Sequence, residues 1–515
     1  MIPLQKTLLF MALLAVTSFP GHSQEYQGES LGRFRTVEPR REQTSRMQQL
    51  VRDDARRNDE NRIQRFSLPA SDKSTLADSL PGRWMYVSEN LQTLPCDDQW
   101  WKTLGDPMLD SLINLGVERN QDVVAAIHRI GAARQAVRRA RAGYYPEIGV
   151  GIGWTKTRSS GEQMKQGRSS TLDYFTASAS MNWEIDIFGR VTAQARREQS
   201  LYNASRAEYA AAMVSLCGEI ARNYAQLRTA QAELAVARAH IALQDSVMHI
   251  ANHRFEAELA SKLDVEQAAT TYYATVASLP SLEAQIATSI NAIAVLVGDF
   301  PEKMAATLAK PAPIPLYEQN VAVGLPLDLI RRRPDVIAAE YQLAAAARAV
   351  GIAKKDFLPT LSITGSIGTV AHKADKLFSH ESFTYTIAPQ LSWTLFDGFA
   401  RSASVAAARE EMEASISQYN ESVLTAVEEV DNAMSNYSSC LREAGLMGNV
   451  LEHAQKSFEL SFDLYRSGLT SFTTLSDSQI AYLQYANSLV AARGNALLAL
   501  VNLYEALGGG WTTPE

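Results

Sequence analysis

The sequence predicts a mainly α-helical chain built from two copies of one unit. Each copy is a long helical hairpin that carries two amphipathic β-strands. Three observations predict it. The stretches MNWEIDIFG (181–189) and QLSWTLFDG (390–398) write the same punctuation twice, about 210 residues apart. Each closes a run in which apolar and polar residues alternate. Each is followed by a very long helical pattern.

The chain has 515 residues, a formal net charge of -7 and 46% hydrophobic residues. No basic excess points to nucleic acid. The first residues hold one lysine and then an apolar run from Leu8 to Phe19, too short to span a bilayer as a helix. Residues 1–24 therefore read as a secretory signal peptide, with cleavage expected near Ser23–Gln24. No later stretch has 18 consecutive apolar residues. Residues 25–97 are rich in Arg, Asp, Glu, Gln and Ser, and read as a charged, flexible or locally helical extension. Cys96, Cys217 and Cys440 are too few and too far apart for a disulfide framework.

The first repeat covers residues 98–300. A helix is expected from Asp106, with Pro107 in its first turn, to Tyr145, where Pro146 ends it. A strand is expected near 147–157, a polar loop over 155–173, and a second strand near 174–188. A helix from about Val191 to Glu258 has apolar residues at seven-residue steps: Met213, Ile220, Leu227, Leu234, Ile241, Met248 and Phe255. A shorter helix runs from about Leu263 to Val297.

Pro301, Pro311, Pro313 and Pro315 mark a linker over 301–325, and the second repeat covers 326–511. A helix opens at the RRRPD stretch 331–335 and ends before Pro359; strands are expected near 360–369 and 383–397, with a polar loop over 369–382. Arg331–Arg333 read as solvated or helix-entry residues rather than an anion site. A long helix from about Ala400 to Arg466 repeats the stripe at Val423, Val430, Tyr437, Ala444, Leu451, Phe458 and Tyr465. The last helix, about Leu475 to Leu507, meets the stop signal Gly508-Gly-Gly510.

The four strands put apolar residues on one face and polar residues on the other. That suits a membrane β-barrel, and equally a soluble sheet with one buried face. The setting favours the barrel, because very long helices lead away from the strands instead of folding over them. Hydrocarbon tolerates no open sheet edge, so four strands in lipid require several chains. A dimer supplies eight strands and a trimer twelve.

The segments WWKTLGDPMLDSLI (100–113), NWEIDIFGR (182–190), GLPLDLIRRRPDVIAAE (324–340), IAKKDFLPTLSITGSIG (352–368), LSWTLFDG (391–398), YRSGLTSFTTLSDSQ (465–479) and LVNLYEALGGGW (500–511) carry a resemblance. The chain resembles the TolC-like outer-membrane efflux proteins, in particular the outer-membrane factors of RND-type pumps. The resemblance runs from about residue 98 to 511. It implies a homotrimer with a twelve-stranded barrel in outer-membrane lipid and a helical tunnel crossing the periplasm. It implies a periplasmic adaptor protein and an inner-membrane RND-type pump as partners. No nucleic acid, cofactor or metal is expected, and no enzyme signature is present. The chain departs from many relatives in having no cysteine just after the signal, and in its longer charged extension.

For site residues, the resemblance places the adaptor-contacting tip at Gly468, Leu469, Thr470 and Ser471, with Leu259 and Ser261 in the first repeat. Glu258 stands where the second repeat has Gly468. It places the pore constriction at Asp477, with Thr474 at a position that is acidic in some relatives. Pattern alone also allows Asp477 to support the start of its helix. Trp154, Trp183 and Trp393 suit an interfacial aromatic girdle or plain packing. Passive efflux of small molecules or ions is the expected function. An outlet for type I protein secretion and a non-conducting secreted coiled-coil scaffold are the alternatives.

Overall fold

Proline and glycine punctuation decides where the long elements stop. The computed structural model describes residues 84–85, 91–92, 98–160, 170–315, 321–324, 326, 329 and 332–511, all within the unit Met47–Glu515. The signal peptide, Cys96 and nearly all of the charged extension lie outside the described residues.

A two-residue strand β1 (Leu91–Gln92) precedes a 3-10 turn at Trp100–Leu104. Helix α1 (Pro107–Arg119) starts on an Asp106 cap whose carboxylate accepts from the backbone N–H of Met108 and Leu109. Helix α2 (Gln121–Ala142) follows at once. The sequence led us to expect one helix from Asp106 to Tyr145. Asn120 breaks it, with φ -59° and ψ 131°. Its Oδ1 accepts from the N–H groups of Asp122 and Val123, and its Nδ2 donates to the Leu296 carbonyl at 2.9 Å. The side chain thus caps a new helix and ties it to a distant one.

Strands β2 (Glu147–Ser159) and β3 (Ser170–Ile185) form the first hairpin. Helix α3 (Arg190–Glu256) and helix α4 (Lys262–Leu296) form the first long helical hairpin. The proline-rich segment opens with helix α5 (Pro301–Leu308), because Pro301 sits at its first position, where no N–H is needed. Strand β4 (Val321–Ala322) pairs in parallel with β1. Helix α6 (Pro334–Lys355), strands β5 (Thr360–Ala371) and β6 (Phe383–Ser392), and helices α7 (Ala400–Arg466) and α8 (Phe472–Ala506) complete the second copy. At 1.5 Å per residue, α3 and α7 are each roughly 100 Å long. The strands end elsewhere than expected: β2 and β5 run further, β3 starts earlier, and β6 stops at Ser392.

The larger sheet is wholly antiparallel in the order β2-β3-β5-β6, so the two hairpins join through β3 and β5. Both outer strands, β2 and β6, have an unpaired edge.

The main core gathers the middle stretches of α3 and α7 with α1, α2, α6 and the C-terminal ends of α4 and α8. Trp100 stacks on Tyr504 with centroids 5.0 Å apart, and Ile113, Ile220, Leu227 and Ile293 are fully buried beside them. Cys217 is buried there too, and burial pushes its thiol up to about 12. Arg331 lies outside the described residues; Arg333 stands at the helix entry as expected, as the N-cap of α6, but is not solvated: it is buried, paired with Asp335 at 2.6 Å and Glu429 at 2.5 Å, and donates to the Ala506 carbonyl. A guanidinium can be buried only with such partners.

The expected stripe on α3 holds for Met213, Ile220 and Leu227, which are buried. Beyond them Leu234, Ile241 and Met248 are half-buried and Phe255 is exposed. The buried face moves to Ala237, His240, Gln244, Val247 and Ala251. A straight helix has 3.6 residues per turn, so strict seven-residue steps drift about 20° per heptad off the packed face. On α7, Ala444 and Leu451 are likewise only half-buried.

Candidate functional site

The register sorts the sheet into two faces. Rows such as Val150, Ala179, Ile367 and Tyr385 lie across one face, and rows such as Gly151, Ser178, Gly368 and Thr384 across the other. Among the described residues no helix covers the apolar face. Ile148, Val150, Ile152 and Trp154 on β2, Ile367 on β5, and Phe383, Tyr385, Ile387 and Leu391 on β6 are each at least 50% exposed. Each such side chain is worth about 1.5–3 kcal/mol in apolar rather than aqueous surroundings. The nine are half to four-fifths exposed, so together they carry on the order of 10–20 kcal/mol of transfer free energy. That favours an apolar surrounding over a soluble sheet with one buried face.

Eleven residues along β3, Phe175 to Ile185, span ten steps, about 33 Å at 3.3 Å per step, or about 25 Å in height at a tilt near 40°. That matches the apolar band of an outer-membrane barrel. The three tryptophans fall at two levels. Trp154 pairs across the sheet with Phe175 at the loop end. Trp183 and Trp393 sit at the helix end, where each indole Nε1 donates to a backbone carbonyl, Tyr144 and Phe357 respectively, at 3.0 Å. These carbonyls lie just past the ends of α2 and α6, two residues before Pro146 and Pro359. Each indole thus tethers a helix exit to its strand, in the same way in both copies.

The strand-to-helix exits are also built alike. Asp186 accepts from the N–H groups of Val191 and Thr192, and Asp397 from that of Arg401. Glu184 holds Arg190 through both carboxylate oxygens, at 2.6 and 3.1 Å.

At the far ends of the helices, the two tips repeat one backbone motif. In the second copy Leu469 N–H donates to the Leu464 carbonyl and Gly468 N–H to that of Tyr465, with Gly468 at φ +75°. In the first copy Leu259 N–H donates to the Arg254 carbonyl and Glu258 N–H to that of Phe255, with Glu258 at φ +60°. This is the six-to-one closure that ends helices on a left-handed residue. The motif puts Leu259 and Leu469 outward, 68% and 74% exposed. Ser261 and Ser471 then cap α4 and α8, accepting from the N–H groups of Asp264 and Thr474. Thr470, between Leu469 and Ser471, is half-buried.

Thr474 is therefore part of a cap, its Oγ1 3.1 Å from the Ser471 Oγ. Asp477 is exposed and stands six residues into α8, one turn beyond Thr474 on the same face. Helix-dipole support fades after the first turn, and Ser471 already caps this helix. The helix-start role for Asp477 loses its basis.

Sequence reading missed Arg254. From the end of α3 its Nη1 donates to the Tyr465 carbonyl at 2.6 Å, and its guanidinium lies 4.9 Å from the centroid of the Tyr465 ring. The cation sits at the C-terminal carbonyls of α7, where the helix dipole favours it. Val247, Ala251 and Ala268 pack with Phe458, Tyr465, Phe472 and Leu475, so the two tips form one end. About two turns back along α3 from Val247, His240 is buried against Tyr482, centroids 4.7 Å apart, and Gln244 on α3 and Gln479 on α8 are buried as well.

Known proteins share this design. A sequence model described as "Outer membrane efflux protein" matches residues 112–299 and 325–509. The chain is 28% identical over 450 residues to the pyoverdine export outer membrane protein OpmQ of Pseudomonas aeruginosa, covering 86% of this chain and 94% of that one. It is 26% identical over 426 residues to the toluene efflux pump outer membrane protein TtgF of Pseudomonas putida, covering 82% and 87%. The solved outer-membrane channel OprN superposes with a TM-score of 0.79 at 28% identity, covering 82% of this chain and 95% of that one. The two-faced sheet, the paired long helical hairpins and these matches lead to one statement: the chain belongs to the outer membrane efflux protein family and is an outer-membrane efflux channel.

Proposed function

We propose that three copies of this chain close a twelve-stranded barrel in outer-membrane lipid and a helical tunnel below it. The observation that carries this is the four-stranded sheet with an uncovered apolar face and two open edges. Each open edge exposes N–H and C=O groups that hydrocarbon cannot satisfy, so β2 of one copy must meet β6 of the next. Three copies of a four-stranded sheet make a closed ring with no edge left.

In this reading the polar face, with Ser178, Ser180, Asn182, Thr364, Ser366 and Thr386, lines the lumen. The tips, with Leu259, Ser261, Gly468, Leu469, Thr470 and Ser471, meet a periplasmic adaptor, and an inner-membrane RND-type pump drives cargo into the tunnel. Asp477, repeated three times around the axis with Thr474 below it, forms a cation-attracting ring at the entrance. The duct itself is passive and conducts small molecules or ions. The first repeat (98–300), the linker (301–325), the second repeat (326–511) and the signal peptide (1–24) serve this assembly as its two hairpin units, their joint and their export address.

The test is planar-bilayer conductance of the detergent-purified protein, with its oligomeric mass from light scattering. Discrete conductance steps from a trimer are expected. A protein that stays in aqueous solution without detergent, or inserts without conducting, would overturn the duct.

A further inference from the structure

Four helices join the larger sheet, and they pack in the order α2-α3-α6-α7, which repeats the strand order β2-β3-β5-β6. Helices α2 and α7 therefore end the row, as β2 and β6 end the sheet. The two repeats align here without gaps. Helices α2 and α6 have 22 residues each and start at 121 and 334; α3 and α7 have 67 each and start at 190 and 400. The seam of α6 on α3 is thus a template for α2 on α7. Two polar pairs cross it. Arg348 on α6 donates to the Ser200 hydroxyl and the Arg196 carbonyl, and Gln342 Nε2 donates to Glu208 Oε1 at 3.1 Å. On the same faces Ala345, Ala204 and Ala207 are buried. The end helices keep this chemistry and lack the cover. Gln135 and Glu410 stand where the template has Arg348 and Ser200, and Arg129 and Gln418 where it has Gln342 and Glu208. Each α2 residue can donate and each α7 residue can accept, as in the template. All four are exposed, and so are Ala132, Ala414 and Ser417, the counterparts of Ala345, Ala204 and Ala207. Among the described residues, the side chains of Arg129, Glu410 and Gln418 make no hydrogen bond or ion pair. Gln135 Oε1 accepts from Arg138 at 3.4 Å, which leaves its Nε2 to donate.

We propose that Gln135 of one chain donates to Glu410 of the next and Arg129 to Gln418, so that α2 packs on the neighbouring α7 in the register of α6 on α3. The inference rests on the three-copy reading above and adds the residues and the register with which the helices of adjacent chains meet. The occupant of both bare faces is a second copy of this chain, because the faces match each other donor for acceptor and small residue for small residue. At the template seam the same match buries both alanine rows. An alanine-lined face lets two helix backbones approach closely, which brings the flanking polar side chains within reach of each other.

The experiment uses the full-length protein in detergent, with oligomeric mass from light scattering and a short bismaleimide as thiol cross-linker. Q135C/E410C is expected to give cross-linked dimers and trimers above the wild-type background. Q135C/E421C, with its second thiol about 16 Å further along α7, is expected to give none. Q135E sets two carboxylates against each other and Q418R two guanidinium groups. Each is expected to shorten the dissociation half-life of the trimer roughly tenfold. Q135E/E410R and R129E/Q418R, which make each pair opposite in charge, are expected to restore it. A trimer in which Q135C/E410C gives no cross-link overturns this inference alone. So does a trimer whose half-life Q135E and Q418R leave unchanged, or one that the paired variants fail to restore. A wild-type protein of monomeric or dimeric mass overturns the three-copy reading and this inference with it.

Discussion

Arg254→Ala tests whether the end of α3 holds the α7–α8 tip in place. The guanidinium donates to the Tyr465 carbonyl at 2.6 Å, makes a longer hydrogen bond to the Arg466 carbonyl at 3.5 Å, and has one ring contact at 4.9 Å. A hydrogen bond to a charged group contributes about 1.5–3 kcal/mol, and a cation–π contact at an exposed site about 0.5–1 kcal/mol. Arg254 is half-buried, so solvent screening discounts the sum to about 2 kcal/mol. That is roughly thirtyfold in the equilibrium between a held and a released tip. In planar bilayers the resting open probability of R254A should rise by up to that factor. R254K should fall between, because an ammonium keeps the charge but loses the planar contact with Tyr465. Light scattering should report an unchanged oligomer. Equal resting open probability in wild type and R254A, at equal oligomeric mass, would refute the clamp.

Four other outcomes are expected. Asp477→Ala should raise resting conductance or weaken cation block in the same bilayers; no change in either would remove the carboxylate ring from the entrance. Leu469→Asp should impair export in cells while the trimer persists, and normal export would remove the tip from the adaptor contact. Glu258→Gly relieves a left-handed conformation costing about 1–2 kcal/mol, but returns about 0.5–1 kcal/mol of backbone entropy to the unfolded chain. A net gain near 0.5 kcal/mol should appear in urea melts, and a loss would mean the Glu258 side chain contributes at the tip. Burial holds the His240 imidazole below its usual 6.5. The unfolded chain then binds the proton more tightly, so stability is full above about pH 6.5 and falls as pH drops toward the folded value. His240→Gln should flatten that part of the Tm-against-pH curve; identical curves would show that the imidazole is not linked to folding.

Much of this protein was legible in one dimension because local rules are short-ranged. Alternation of period two marked all four strands, and Pro146 and Pro359 placed the starts of β2 and β5. The join at Gly468-Leu469 was placed between two helices, but the Ser471 cap starts the last helix at Phe472, ahead of the expected Leu475. Tertiary structure decided the rest. Asn120 splits a helix because its amide also reaches Leu296, 176 residues on. Glu258 takes a conformation its side chain disfavours because the hairpin closes there as its partner copy does. Arg254 has no local signal as a clamp: its acceptor is 211 residues away. The buried stripe left its heptad because 3.6 does not divide seven. Sequence by itself determined which faces are apolar and roughly where the long helices run. Only the fold decided which face is left uncovered, since that depends on where every other helix goes, and among the described residues none returns over the sheet.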